Sequence, residues 1–351
     1  MKNFALIGCG RIAKRHSDLL GQNQIRGAKL VAVCDIDYSK AQALSERLNI
    51  NAYSDYSEML STEKIDVAVI LTDSGSHAEV AIDIADKVEN IVVEKPMALK
   101  IDDAEKMIEA CEDNGTKLFV VKQNRYNLPV TALRGAVDQG KFGKLNLCTV
   151  RVRWCRTQEY YDQASWRGTW KNDGGVLTNQ ASHHLDLLEW LGGDIESVYA
   201  KSMNAMSDIE AEDTAVVVVK FCSGALGLIE ATTATRPKDI EGSISILGER
   251  GTVEIGGFAV NEMKIWQFDS MSDQDNTIKE KFSVNPPNVY GFGHKEYYEH
   301  VMSVIEGEDI PMVDGHEGIK SLKLINAIYV SSESGKEIFL KDSPVFKKLG
   351  N

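Results

Sequence analysis

Gly8-Cys9-Gly10-Arg11-Ile12-Ala13 spaces its small residues as G-x-G-x-x-A, between an apolar run and a helical pattern. Gly8 permits a tight turn, Gly10 lets backbone come close to a diphosphate, and a helix opening at Arg11 and Ile12 would present its positive end there. The same residues also suit a purely structural glycine turn. Asp35 ends the next apolar run, where a carboxylate about 20 or more residues past the glycines accepts hydrogen bonds from ribose hydroxyls. It would repel a 2′-phosphate, and Ile36-Asp37-Tyr38 offers no arginine to offset that. The pattern predicts NAD rather than NADP.

Glu94-Lys95-Pro96 follows the apolar run 91–93, at the edge of a sheet where doubly wound folds bind ligands. Position alone also suits a solvated lysine. Further along, Gly174-Gly175 leads into Asn179, His183, His184 and Asp186. On a helix Asn179, His183 and Asp186 share one polar stripe, while Leu188 and Leu191 face a core and His184 points elsewhere. A neutral imidazole there can take a proton near pH 7; it can equally be a hydrogen-bonded structural histidine. Residues 151–173 run against the acidic chain, with Arg151, Arg153, Arg156, Arg167 and Lys171 facing Glu159, Asp162 and Asp173. They also hold Trp154, Tyr160, Tyr161, Trp166 and Trp170 in a protein only 7% aromatic. Guanidinium forks suit carboxylate and phosphate, and aromatic rings suit sugars or uracil. Arg151, Arg153 and Trp154 lie on a strand pattern and read as sheet packing. Arg156, Tyr160 and Arg167 lie beyond it and read as ligand contacts, as do Asn124 and Arg125 after the run 118–121.

These groups need two kinds of scaffold. Apolar runs at 4–7, 30–34, 67–71, 91–93 and 118–121 alternate with helical patterns near 11–20, 39–48, 76–87 and 102–114, with Gly115 as a left-handed cap. Unbroken apolar strands between helices mean a parallel sheet covered on both faces. From 145 to 268 seven strands follow, several alternating polar and apolar, and helical patterns occupy 294–306 and 316–332. The predicted architecture is an α/β Rossmann domain with a doubly wound parallel sheet over residues 1–122. An α+β domain with a large open, mainly antiparallel sheet follows over 123–351. A chain of 351 residues has volume for both.

Composition bounds the partners. With 39 Lys+Arg against 52 Asp+Glu, the net charge of −13 disfavours non-specific nucleic-acid or anionic-membrane binding, so an anionic ligand needs a local basic pocket. The six cysteines are scattered without C-x-x-C, which predicts reduced thiols and no metal site. The N-terminal apolar run is too short for a signal peptide, and no stretch has the 18 or more apolar residues of a membrane span, so the expected location is cytoplasmic.

Together GCGRIA, EKP and GGVLTNQASHHLDLLEWL resemble the glucose–fructose oxidoreductase/inositol dehydrogenase (Gfo/Idh/MocA) family over essentially the whole chain. The resemblance implies hydride transfer between NAD(P) and a sugar carbon, with Lys95 and His183 as the catalytic pair. It implies a cis Lys95–Pro96 bond, Glu94 and His77 near the cofactor, and a homotetramer built through the open sheet. Two positions depart from the wider pattern: Asp73 stands where proline is usual, and Asn179 where aspartate is common. The segments 121–125, 157–170 and 179–183 are similar to the UDP-N-acetylglucosaminuronate (UDP-GlcNAcA) 3-dehydrogenases, a branch in which asparagine stands at the position of Asn179. That branch implies oxidation of the sugar C3 hydroxyl in bacterial surface-polysaccharide (lipopolysaccharide O-antigen) biosynthesis. Asn124, Arg125, Arg156, Tyr160, Arg167, Asn179 and His183 would bind the UDP-sugar uronate. It leaves open whether NADH departs or is recycled in place by a 2-oxoacid, and whether His183 or Lys95 is the base. The alternatives are a family member acting on another nucleotide sugar or an inositol, and a non-catalytic NAD sensor, which would not need both Lys95 and His183.

Overall fold

The β-branched runs of the first third pair edge to edge into one parallel sheet. Its strands are β1 (Lys2–Ile7), β2 (Ala28–Cys34), β3 (Asn51–Tyr53), β4 (Val67–Ile70), β5 (Asn90–Val93) and β6 (Lys117–Val120), in the order β3-β2-β1-β4-β5-β6. Between them lie α1 (Ala13–Gly21), α2 (Tyr38–Leu48), α3 (Tyr56–Thr62), α4 (His77–Ile84) and α5 (Ile101–Asn114). Every residue of β4 and β5 is buried, as expected for central strands covered on both faces, and each Val or Ile there contributes about 1.5–3 kcal/mol of burial. Strand order reverses between β1 and β4, which places the Gly8 turn at the point where such sheets hold ligands. Gly115 closes α5 in the left-handed region, φ 69°, with its N–H on the carbonyls of Cys111 and Glu112.

The computed structural model describes residues 1–282 and 291–351, and the chain divides into two units, Met1–Val121 with His294–Ile319 and Lys122–Gly293 with Lys320–Asn351. The second unit contains α6 (Leu128–Asp138), β7 (Leu145–Arg153), α7 (Gln158–Asp162) and α8 (Ser182–Gly192). These are followed by β8 (Ile195–Met203), β9 (Thr214–Phe221), β10 (Leu226–Thr232), β11 (Glu241–Gly248), β12 (Gly251–Gly256), β13 (Glu262–Phe268) and α9 (Asp273–Lys281). The chain rejoins the first unit with α10 (His294–Glu306) and the start of α11 (Gly315–Ser334), and ends beyond β14 (Ile338–Phe339).

The eight-stranded sheet runs β13-β12-β11-β7-β10-β9-β8-β14 and is antiparallel except where β7 meets β10. One face is dry: Val150, Val198, Val217, Ile229 and Ile244 are all 0% exposed. Helix α8 packs on that face against β7 and β11 through its leucines. The strand positions between them point outward, so Tyr199, Val218 and Leu226 lie on the opposite face at 42–52% exposure.

Candidate active site

In the first unit Gly8 is required by its surroundings twice over. Its φ is +102°, and a Cβ there would lie 2.6 Å from the Leu71 carbonyl. At Gly10 a Cβ would meet nothing within 4 Å, so packing does not demand the glycine; the bare backbone keeps an approach open from outside. Helix α1 begins at Ala13, later than the sequence pattern suggested, with Arg11 exposed, Ile12 at the N-cap, no side-chain cap and no acid in its first turn. Asp35 Oδ2 accepts the Cys9 N–H at 2.7 Å and Oδ1 the Asp37 N–H at 2.9 Å, which ties the glycine loop to the tip of β2. An open turn, an uncapped helix start and a fixed carboxylate fit a dinucleotide's diphosphate and ribose.

Two of the residues expected at the cofactor are buried. The ring of His77 is 1% exposed and bridges Pro96 O at 2.8 Å and Thr72 O at 3.2 Å, so it clamps the loops around a ligand site; burial lowers its pKa against the pull of the Pro96 carbonyl. Glu94 is 6% exposed. Its Oε1 is 3.0 Å from His16 Nε2 on α1 and 3.9 Å from His294 Nε2 on α10, and its Oε2 accepts the Lys95 N–H. Burial alone would push this carboxyl up, but His16 and His294 outweigh it and hold the group well below the ordinary range. A buried carboxylate needs such partners, so Glu94 steadies the loop while half-buried Lys95 follows it. The Lys95–Pro96 bond is cis.

In the second unit the expected stripe is only partly helical. α8 starts at Ser182, so His183 and Asp186 lie on it and Asn179 sits in the turn before it. The reason is the Gly174-Gly175 turn, whose following N–H groups bond Glu212 rather than a preceding helical carbonyl. Asn179 Nδ2 donates to Asp173 Oδ1 at 2.6 Å. His183 is 7% exposed, with the Gln123 amide nitrogen 3.0 Å from its Nε2. Asp186 takes a two-pronged bond from Arg125 at 2.8 and 2.7 Å and lies 3.6 Å from Lys122 Nζ. Burial raises the Asp186 carboxyl, but Arg125 and Lys122 together bring it below its usual range. Arg125, expected on substrate, is 2% exposed and holds Asp186, and Asn124 beside it is 4% exposed. His184 is structural: both ring nitrogens are buried without a hydrogen bond among the described residues, Trp154 lies edge-on at 5.8 Å, and burial lowers its pKa to about 3.

Part of the basic-aromatic segment gathers around Tyr160. Arg167 donates to the Tyr160 hydroxyl at 2.6 Å, and its guanidinium lies 4.4 Å from the Tyr160 ring centre and 4.7 Å from that of Trp166. Arg156 lies 5.3 Å from the same tyrosine ring and 2.9 Å from Asp239. Arg151 and Arg153 pair with Glu241 and Glu230 across neighbouring strands, as sheet residues do. Sequence reasoning assigned no role to Lys122, Gln123, Asp173 or Glu212. Only the polar run Lys122-Gln123-Asn124-Arg125 after an apolar strand hinted at the first two.

Residues 2–122 match the oxidoreductase family's NAD-binding Rossmann fold, and residues 134–340 match the same family's C-terminal alpha/beta domain. Among solved structures, the WlbA dehydrogenase of Chromobacterium violaceum, in complex with NADH and UDP-GlcNAcA, is 42% identical over 96% of this chain and 95% of its own, with a TM-score of 0.90. The WlbA dehydrogenase of Bordetella pertussis, in complex with the same two molecules, is also 42% identical, over 96% of this chain and 98% of its own, at TM-score 0.88. A myo-inositol 2-dehydrogenase from Thermotoga maritima is 26% identical over 97% of this chain and 98% of its own. Among the described residues no helix is long and apolar enough to cross a membrane.

Proposed function

We propose, from the premise that this chain belongs to the Gfo/Idh/MocA oxidoreductase family and is an NAD-dependent sugar or polyol dehydrogenase, that it oxidises the C3 hydroxyl of UDP-GlcNAcA. One observation carries the choice of substrate: 42% identity over 96% of the chain to dehydrogenases solved with that sugar and NADH, against 26% to an inositol dehydrogenase. The cluster of Arg156, Tyr160, Arg167 and Trp166 supports it, because such side chains suit a carboxylate, phosphates and ring faces on a chain of charge −13. Arg125 bears on the catalytic helix, by anchoring Asp186, whose carboxyl feels the charge of His183.

Gly8, Gly10 and the start of α1 would hold the diphosphate of NAD and Asp35 its ribose, and the cofactor when bound would supply the acceptor for the hydride that leaves C3. His183 takes the hydroxyl proton, and Lys95 donates a hydrogen bond to the oxygen as negative charge develops. The converse assignment, with Lys95 as base, is chemically available to a lysine near positive charge. The enzyme would act in the bacterial cytoplasm, in building surface-polysaccharide sugars, as a homotetramer. The test follows NADH absorbance with UDP-GlcNAcA, UDP-GlcNAc, UDP-glucuronate and myo-inositol, with and without a 2-oxoacid. Preference for UDP-GlcNAcA is expected. Equal or faster turnover of myo-inositol, or of a UDP-sugar lacking the carboxylate or the acetamide, would overturn the assignment.

A further inference from the structure

Taking the proposed role of His183 as given, we infer that Glu212 is a positioning residue whose carboxyl fixes the turn that delivers Asn179 and His183. Glu212 lies at the loop end just before β9 and is 4% exposed. Its main-chain carbonyl accepts the Val176 N–H at 2.9 Å and its Oε1 the Leu177 N–H at 3.0 Å, so one residue satisfies both donors that leave the Gly174-Gly175 turn. Tyr329, on α11, completes the clamp. Its hydroxyl donates to the same Oε1 at 3.0 Å, accepts the Gly175 N–H at 3.3 Å and lies 2.8 Å from the Thr178 hydroxyl. A Cβ on Gly175 would overlap Glu212 Oε2, so the glycine is what lets the carboxyl lie flat on the turn. Asn179 follows Gly175 by four positions, with its N–H on the Gly175 carbonyl at 3.0 Å, and α8 opens at Ser182 just before His183, so a shift in this clamp moves both.

The clamp also has a protonation state. Oε2 is buried with no hydrogen-bond partner among the described residues, which suits an O–H better than a bare anionic oxygen. The titratable groups facing it are Tyr329, which stays neutral, and Asp173, whose negative charge opposes a second one. Burial, aided by Asp173 and opposed by the Leu177 N–H and Tyr329, pushes the carboxyl up to about 7. A raised carboxyl pKa means that the folded protein keeps a proton that the unfolded chain releases. Stability therefore falls as pH rises from the unfolded value of about 4.3 to about 7, and is flat above.

The experiment uses the full chain as wild type, Glu212→Gln and Glu212→Ala. Glutamine keeps the acceptor for Leu177 and Tyr329 and carries no charge. Its melting temperature should gain on the wild type as pH rises from about 5 to about 7.5, and the gain should then level off. In protein labelled at histidine carbon, the His183 resonance, assigned by its loss in His183→Asn, should shift in Glu212→Ala and return in Glu212→Gln. Turnover should follow: Glu212→Ala lowers kcat about tenfold or more with KM little changed, and Glu212→Gln restores it. Parallel melting curves for wild type and Glu212→Gln, an unmoved His183 resonance in Glu212→Ala, or a glutamine variant as slow as alanine would each overturn the inference. Should no sugar be turned over by the wild type, the proposed function fails, while melting and the His183 resonance still decide the role of Glu212. If Glu212→Ala does not fold, the glutamine melting curves and kcat decide alone.

Discussion

An imidazole works as a base only if it is held in place, and His183 is held by the Gln123 amide at 3.0 Å. Removing its proton-accepting nitrogen should therefore be felt in the chemical step. His183→Asn is expected to cut kcat by about 10²-fold or more while the apparent affinities for NAD and sugar change little. Lys95→Met should also lower kcat, through lost stabilisation of the developing oxyanion, whereas Arg167→Ala should mainly raise KM. Stopped-flow and steady-state NADH absorbance read all three. A His183→Asn enzyme with near-normal kcat would remove the histidine from the chemistry and leave Lys95 as the base. His184, phased off the polar stripe in the sequence, is enclosed in the fold. Trp154 lies beside it and Gly242 against its Nε2, so His184→Asn should appear as a lowered melting temperature with normal turnover in the folded fraction.

At the scale of elements, two buried carboxylates do the tying. Glu94 joins the end of β5 to α1 and α10 through His16 and His294, and Asp186 joins α8 to the segment after β6 through Arg125 and Lys122. Both carboxyls lie below their ordinary range in the fold, so the stability they supply is complete above the unfolded pKa of about 4 and is lost as pH falls below it. Asp186→Asn at pH 7 strands the buried Arg125 and Lys122 and should cost about 3–5 kcal/mol in urea unfolding. A loss under about 1 kcal/mol, no more than an exposed ion pair is worth, would mean that the cluster is solvated and not a structural tie. None of this pairing was legible in the sequence, because Gln123 and His183, or Arg125 and Asp186, are some sixty residues apart and local spacing carries no trace of them. For the same reason the burial of Glu94, His77 and Arg125, whose types suit ligands, was not legible. What was legible was periodic: the unbroken apolar strands, the alternating strands of the second sheet, the Gly115 cap and α10 to the residue. The three-residue edge strand β3 and the polar surface helix α9 lack that periodicity and went unread, as did α6, although its Val130, Leu133 and Ala136 fall at helical spacing. Asn179 was phased onto the helix because i, i+4 spacing cannot show that Glu212 takes the N–H groups of the turn.

At the scale of the whole molecule, one face of the second sheet carries apolar side chains that nothing covers among the described residues. Tyr199, Val218 and Leu228 form a row across β8, β9 and β10, and Leu226 lies beside Leu147 on β7. All five are between 36% and 52% exposed. Ion pairs flank the patch, Lys220 with Glu196 on one side and Arg153 with Glu230 on the other. A continuous apolar patch rimmed by charge is the usual form of an interface, and on a chain carrying −13 it also lets two copies meet without opposing their acidic surfaces. A twofold arrangement needs no other partner, since one self-complementary face serves both copies. We therefore expect this face to be the contact through which the proposed tetramer is built. Val218→Lys places an ammonium in the centre of the row and should release smaller species in sedimentation velocity, with the secondary structure by circular dichroism unchanged. Lys201→Glu, on β8 beside the patch, tests the alternative that charge alone governs assembly, and should leave the assembly intact. A wild-type protein that sediments as a monomer at micromolar concentration would show that the exposed row is not an interface between copies.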